Sequence, residues 1–135
     1  MDNYEIQENF LNKLAETYTK FDISYIEDLI SKNFKYSSMW VFQELKGKSA
    51  YLCYLTKKLE SMKQANVKNR FIMMYKQGDG QPMLMCSQKT PEGDRGVFIA
   101  SVNKSGKIDS LNLMASSLYS LGYKDKAEFD KFMKS

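Results

Sequence analysis

The stretch that most constrains the fold is Phe34 to Met62, FKYSSMWVFQELKGKSAYLCYLTKKLESM. Its first part alternates. Phe34, Tyr36, Ser38 and Trp40 fall on one parity, with Lys35, Ser37, Met39 and Val41 between them. Period two is the signature of a strand with two distinct faces, so the first set shares a face of three large aromatics and one small hydroxyl. Its last part has helical spacing, with Leu52, Leu55, Leu59 and Met62 as the buried stripe and Lys57, Lys58 and Glu60 on the other side. Gly47 lies between, where the chain must turn sharply and a residue without Cβ is needed. A strand, a tight turn and an amphipathic helix are therefore expected in that order.

Two helices are expected before this stretch. Ile6, Phe10, Leu14 and Tyr18 form one stripe, with Leu11 and Ala15 beside it. Asp22 is a good N-cap for a second helix, and Ser24 with Glu27 offers a capping box. Ile23, Ile26, Leu29 and Ile30 would be its buried side, with its end near Lys32 or Asn33.

After Val67 the pattern becomes strand and turn. Gly78-Asp79-Gly80, Pro91-Glu92-Gly93-Asp94 and Asn103-Lys104-Ser105-Gly106 are turn signals. They separate strands at Arg70–Gln77, Met83–Lys89, Gly96–Val102 and Ile108–Met114, which predicts an antiparallel meander. Pro82 should sit at the start of its strand, because it cannot donate to a ladder. Asp125 with Glu128 caps a short terminal helix carrying Phe129, Phe132 and Met133. No repeat, linker or low-complexity segment divides the 135 residues, so one domain is expected. Helices ahead of an antiparallel sheet make the class α+β, the sheet curved over its helices.

Composition excludes several chemistries. The chain has no histidine, which removes Ser-His-Asp and Cys-His mechanisms and most transition-metal sites. No metal or other cofactor is expected. Cys53 and Cys86 form no CxxC pair and read as two reduced thiols. Charge is uneven: residues 1–33 carry −4 and residues 34–76 carry +7. The basic middle lacks any nucleic-acid motif, so a solvated helix face accounts for it, and no nucleic-acid partner is expected. No apolar run approaches the roughly 20 residues of a membrane span. The acidic start, MDNYEIQENF, has no basic-then-apolar order of a signal peptide, so the expected location is cytoplasmic.

Three segments together carry a family resemblance: KFDISYIEDLISKNFKYSSMW, LKGKSAYLCYL and NKSGKIDSLNLM. Their order and spacing over about residues 5–115 resemble the nuclear transport factor 2-like (NTF2-like) superfamily, in its SnoaL-like and ketosteroid isomerase-like branch. The terminal helix, 125–134, lies outside the resemblance. The resemblance implies a cystatin-like α+β cone with a pocket at its open end, and a homodimer through the outer face of the sheet.

It also allows the isomerase chemistry to be tested. That branch places a Tyr on the first helix, an Asp base at the end of the first strand and an Asp acid on the penultimate strand. Leu14, Ser38 and Phe98 stand at those positions here, and none can move a proton as a carboxylate does. Tyr36, Ser38, Trp40, Phe98, Asn112 and Leu14 are then the expected lining of a pocket for a small, largely apolar ligand. The aromatics could instead simply fill the cone. Tyr18, Tyr51 and Tyr54 read as helical core or rim residues. A lyase or isomerase for a hydrophobic cyclic substrate, using Tyr36 with Asp109 or another acid, is the enzymatic alternative. An interaction module using Met39, Val41, Met73 or Met85 on the outer face is the third reading.

Overall fold

The computed structural model describes residues 2–38, 41–76, 79–87 and 95–115. The first helix, α1 (Asn3–Lys20), begins where Asp2 caps it: the Asp2 carboxylate accepts from the Glu5 amide at 2.8 Å. Its buried residues include Phe10, Leu11, Leu14 and Tyr18, the stripe expected from spacing. It ends at Phe21, whose φ of 54° is left-handed, a conformation that terminates a helix.

The second helical segment is shorter than its spacing suggested. Asp22 does cap it, accepting from the Ser24 amide at 2.9 Å. The backbone, however, makes only two single 3-10 turns, Ile23–Tyr25 and Glu27–Leu29. Ile23, Ile26 and Leu29 are spaced by three, which fits three residues per turn as well as it fits an α-helix. From Ile30 the chain is already strand, β1 (Ile30–Ser38). Ile30 pairs with Ile108, a partner that local spacing could not show.

The expected single strand from Phe34 through Val41 is a hairpin. Ser38 ends β1, Val41 opens β2 (Val41–Lys46), and the two residues pair. Trp40 lies outside the described residues. Gly47 follows β2 with φ 98° and ψ 145°, a region open essentially to glycine. Its amide donates to the Phe34 carbonyl at 2.6 Å, tying the start of α2 (Lys48–Gln64) back to β1.

The meander then follows as β3 (Arg70–Tyr75), β4 (Pro82–Ser87), β5 (Arg95–Val102) and β6 (Ile108–Ala115). Pro82 is the first residue of β4, as expected. Gly80, with φ 76°, serves the turn after β3. Asn103 shapes the turn before β6, its side-chain oxygen accepting from the Ser105 and Lys107 amides. The terminal helix expected at 125–134 lies outside the described residues.

The sheet is open and six-stranded, in the order β2-β1-β6-β5-β4-β3. All neighbours are antiparallel except β1 and β6, which are parallel. The wholly antiparallel sheet expected from the meander is thus corrected at one pair. The two parallel strands are separated in the chain by α2 and four further strands, so turn signals could not reveal the pairing. Strand pairing aligns Phe71–Cys86, Met73–Leu84–Phe98–Leu113–Ser38 and Ala100–Leu111–Tyr36 across one face. Both helices pack on this inner face, making the main core. Tyr75 reaches back from β3 to donate a hydrogen bond to the Glu8 carboxylate on α1. No helix among the described residues is long and apolar enough to cross a membrane.

Candidate functional site

The alternation of β1 turns Phe34 and Tyr36 into the inner face, where both are buried. Helix α2 lies across them because Gly47 reverses the chain at the end of β2. Its first turns therefore bring Tyr51 and Tyr54 down onto β1. The Tyr51 ring packs between Phe34 and Tyr36, with centroids at 4.7 and 5.1 Å. Tyr54 lies 5.7 Å from Tyr36. Tyr18 approaches from α1, stacked against Phe71 at 5.7 Å and Phe98 at 5.8 Å. Four phenols, those of Tyr18, Tyr36, Tyr51 and Tyr54, are thus gathered beneath the sheet, near enough to influence one another electrostatically.

Their hydroxyls are not all satisfied. The Tyr51 and Tyr36 hydroxyl oxygens are buried and make no well-formed hydrogen bond. A buried hydroxyl without a partner costs about 1–3 kcal/mol. Ser38 and Tyr54 are the polar neighbours of the Tyr36 hydroxyl. Both are half-buried, so this side of the cluster faces the solvent. There Lys58 donates to the Tyr54 hydroxyl at 3.2 Å, with its ammonium 5.6 Å from that ring's centroid.

Burial pushes the Tyr18 and Tyr51 phenols well above their ordinary range, and burial with Tyr54 does the same to Tyr36. All three are neutral at physiological pH and available as donors. Burial also pushes the Cys86 thiol up to about 11, against the opposing pull of the Gly96 backbone and Lys58. Cys86 is consequently an inert thiol rather than a nucleophile.

The sequence-derived residues separate into three groups. Leu14, Tyr36 and Phe98 are buried in the main core. Ser38 and Phe98 both pair with Leu113 on the strand between them, two strand spacings or about 10 Å apart. Asn112 does not join them. Leu111 and Leu113 take the inner positions of β6, so alternation sends Asn112 to the outer face, opposite Ile99 and Ser37. Trp40 lies outside the described residues. Asp109 lines an open outer depression with Lys32, Lys35, Ser101 and Ser110, away from the phenols. Tyr36 and Asp109 therefore share no site. Met73 is an inner-face residue paired with Leu84, whereas Met85 is on the outer face. Tyr18, Tyr51 and Tyr54 are the members that spacing alone assigned to packing. The i, i+3 placement of Tyr51 and Tyr54 on one helix face was the available signal.

No protein-family model and no curated protein matches the sequence. Solved structures do match the fold. An NTF2-like protein of unknown function from Mesorhizobium loti superposes with a TM-score of 0.67 at 14% identity, over 87% of this chain and 96% of its own. A SnoaL-like protein of unknown function from Burkholderia thailandensis gives 0.63 at 12% identity, over 84% and 96%. The chain has the NTF2-like fold. A steroid delta-isomerase from Pseudomonas aeruginosa also has it, with a TM-score of 0.58 at 17% identity over 93% of this chain and 89% of that one. A shared fold does not carry a shared function, so function has to be argued from the phenol cluster itself. Among the described residues, no group of three or more His, Cys, Asp or Glu is placed to hold a metal ion.

Proposed function

We propose that this NTF2-like protein binds a small, flat, largely apolar molecule bearing one acceptor oxygen, held by the Tyr51 and Tyr36 hydroxyls. The observation that carries the reading is the buried Tyr51 hydroxyl without a partner, packed against a Tyr36 whose own hydroxyl has only Ser38 and Tyr54 beside it. An acceptor placed against the Tyr51 hydroxyl would recover its desolvation cost. The surrounding rings of Phe34, Tyr36, Tyr51 and Tyr54 suit a flat apolar body, and the half-buried Ser38 and Tyr54 mark its side of entry. Binding without turnover is favoured because Leu14, Ser38 and Phe98 lack the carboxylate and phenol of the isomerase branch.

The test is fluorescence titration with 2-naphthol, a flat bicyclic ring with one oxygen, after native mass spectrometry of the purified chain for any retained mass. The wild type should bind, and Tyr36→Phe or Tyr51→Phe should each weaken binding by up to about tenfold, the worth of one hydrogen bond. Equal affinity in wild type and both variants would remove the two hydroxyls from recognition.

A further inference from the structure

The outer face of the sheet opens where two irregularities of its ladders meet. Ile30 of β1 pairs with Ile108 and Lys35 with Ser110, so β1 advances five residues while β6 advances two. On its other side β6 pairs Ile108 with Val102 and Ser110 with Ser101, which leaves Asp109 as an extra residue. Extra residues bend strands and re-aim side chains, and such bulges recur beside binding and catalytic sites. Here they border an open depression of about 590 Å³, the size of a small-ligand site. Every residue lining it is polar or charged, unlike the aromatic inner face.

The lining is rich in donors. Lys32 and Lys35 bring two exposed ammonium groups. Lys35 also pairs directly with Lys46 across β1 and β2, a like-charge pair that weakens the ladder and whose repulsion an anion would offset. The same row continues into Ser110 and Ser101, whose hydroxyls border the depression. Ser31 borders it as well, and its hydroxyl is buried without a hydrogen-bond partner. Asn103 has its side-chain oxygen engaged by the Ser105 and Lys107 amides, which leaves its N–H groups to donate. The exception is Asp109, a carboxylate that only accepts. It would repel a bare anion, whereas a ligand that joins an anion to a hydroxyl satisfies both kinds of group.

We propose that this outer depression binds a small sugar phosphate, its phosphate held by Lys32, Lys35 and the Ser31 and Ser110 hydroxyls, and one of its hydroxyls held by Asp109. Two ammonium groups with several neutral donors suit a phosphate monoester, whose three terminal oxygens all accept, better than a carboxylate. The site lies on the opposite face of the sheet from the phenol cluster and is independent of the ligand proposed there.

The experiment is a heteronuclear NMR titration of the full chain at low salt with glucose 6-phosphate, inorganic phosphate and glucose, each to about 10 mM, a range that reads millimolar affinity. Glucose 6-phosphate should bind saturably, shifting the amides of residues 31–35 and 109–110, and more tightly than inorganic phosphate. Glucose alone should leave those amides unmoved. Lys32→Gln and Lys35→Gln should each weaken glucose 6-phosphate by up to about fivefold, the worth of one exposed ion pair. Both lysines are exposed, so neither replacement touches the core. Asp109→Ala should weaken glucose 6-phosphate yet tighten inorganic phosphate, because it removes the partner of the hydroxyl together with the repulsion. A surface that merely attracts anions would hold both phosphates equally and gain equally for both in Asp109→Ala, which overturns the proposal. No saturable shift at these residues, or binding untouched by either lysine replacement, overturns it too.

Discussion

Replacing Tyr51 by Phe should stabilise the ligand-free protein. The Tyr51 hydroxyl is buried and unpartnered, while its ring is held between Phe34 at 4.7 Å and Tyr36 at 5.1 Å. Phe keeps those ring contacts and removes only the oxygen. The desolvation cost relieved is about 1–3 kcal/mol. The small void left behind takes back a few tenths, at about 24 cal/mol per Å³. A net gain of about 1–2 kcal/mol follows. With an unfolding entropy of about 2.1 cal/mol/K per residue, that corresponds to a Tm rise of about 4–7 °C for a chain of 135 residues. Calorimetry would give the Tm, and urea unfolding at constant m would show that stability rather than denatured-state compactness had changed. The sign should reverse when 2-naphthol is saturating, because the wild type then gains a hydrogen bond that the variant lacks. A Tm lowered by several degrees in protein shown by native mass spectrometry to carry no ligand would refute the reasoning. The hydroxyl would then have a partner in the empty protein, and the observation behind the binding proposal would fall with it.

Raising the pH should destabilise the fold. Tyr18, Tyr36 and Tyr51 have folded pKa values above the unfolded value near 10, so their contribution is fully present below that pH and is lost as pH rises through the folded values. Each steepens the decline by about 1.4 kcal/mol per pH unit, and urea midpoints flat between pH 9 and 11 would contradict this. Gly47→Ala should cost about 1–3 kcal/mol, measured by urea unfolding. The cost is backbone strain alone, since φ is 98° and an added Cβ would meet nothing within 4 Å; an unchanged midpoint would argue against it. With a disulfide-exchange reagent at pH 8, the exposed Cys53 should react promptly and the half-buried Cys86 far more slowly, because burial holds that thiol protonated. Equal rates for the two cysteines would show that the inner face opens to solvent.

Much of the architecture was legible in the chain because it is encoded over a few residues at a time. The α1 stripe, the parity that buries Phe34 and Tyr36, the turn at Gly47 and the meander with Pro82 opening β4 are all local patterns. So is the replacement of the isomerase-type groups by Leu14, Ser38 and Phe98. The hairpin between Ser38 and Val41 was not legible, since no Gly, Asn or Asp marks it.

Tertiary pairing decided the rest. The second helix stops at Leu29 because Ile30 finds Ile108 in a parallel ladder, a partner with no local trace. Asn112 faces outward because Leu111 and Leu113 are drawn to the inner face. Tyr18, Tyr51 and Tyr54 each read from spacing as a core or rim packing residue. They join Tyr36 only because α1 and α2 cover the same side of one sheet. Periodicity tells which side of an element is apolar, whereas the partner of that side depends on how distant elements pair. The phenol cluster, built from α1, β1 and α2, therefore belongs to the fold rather than to any one stretch of sequence.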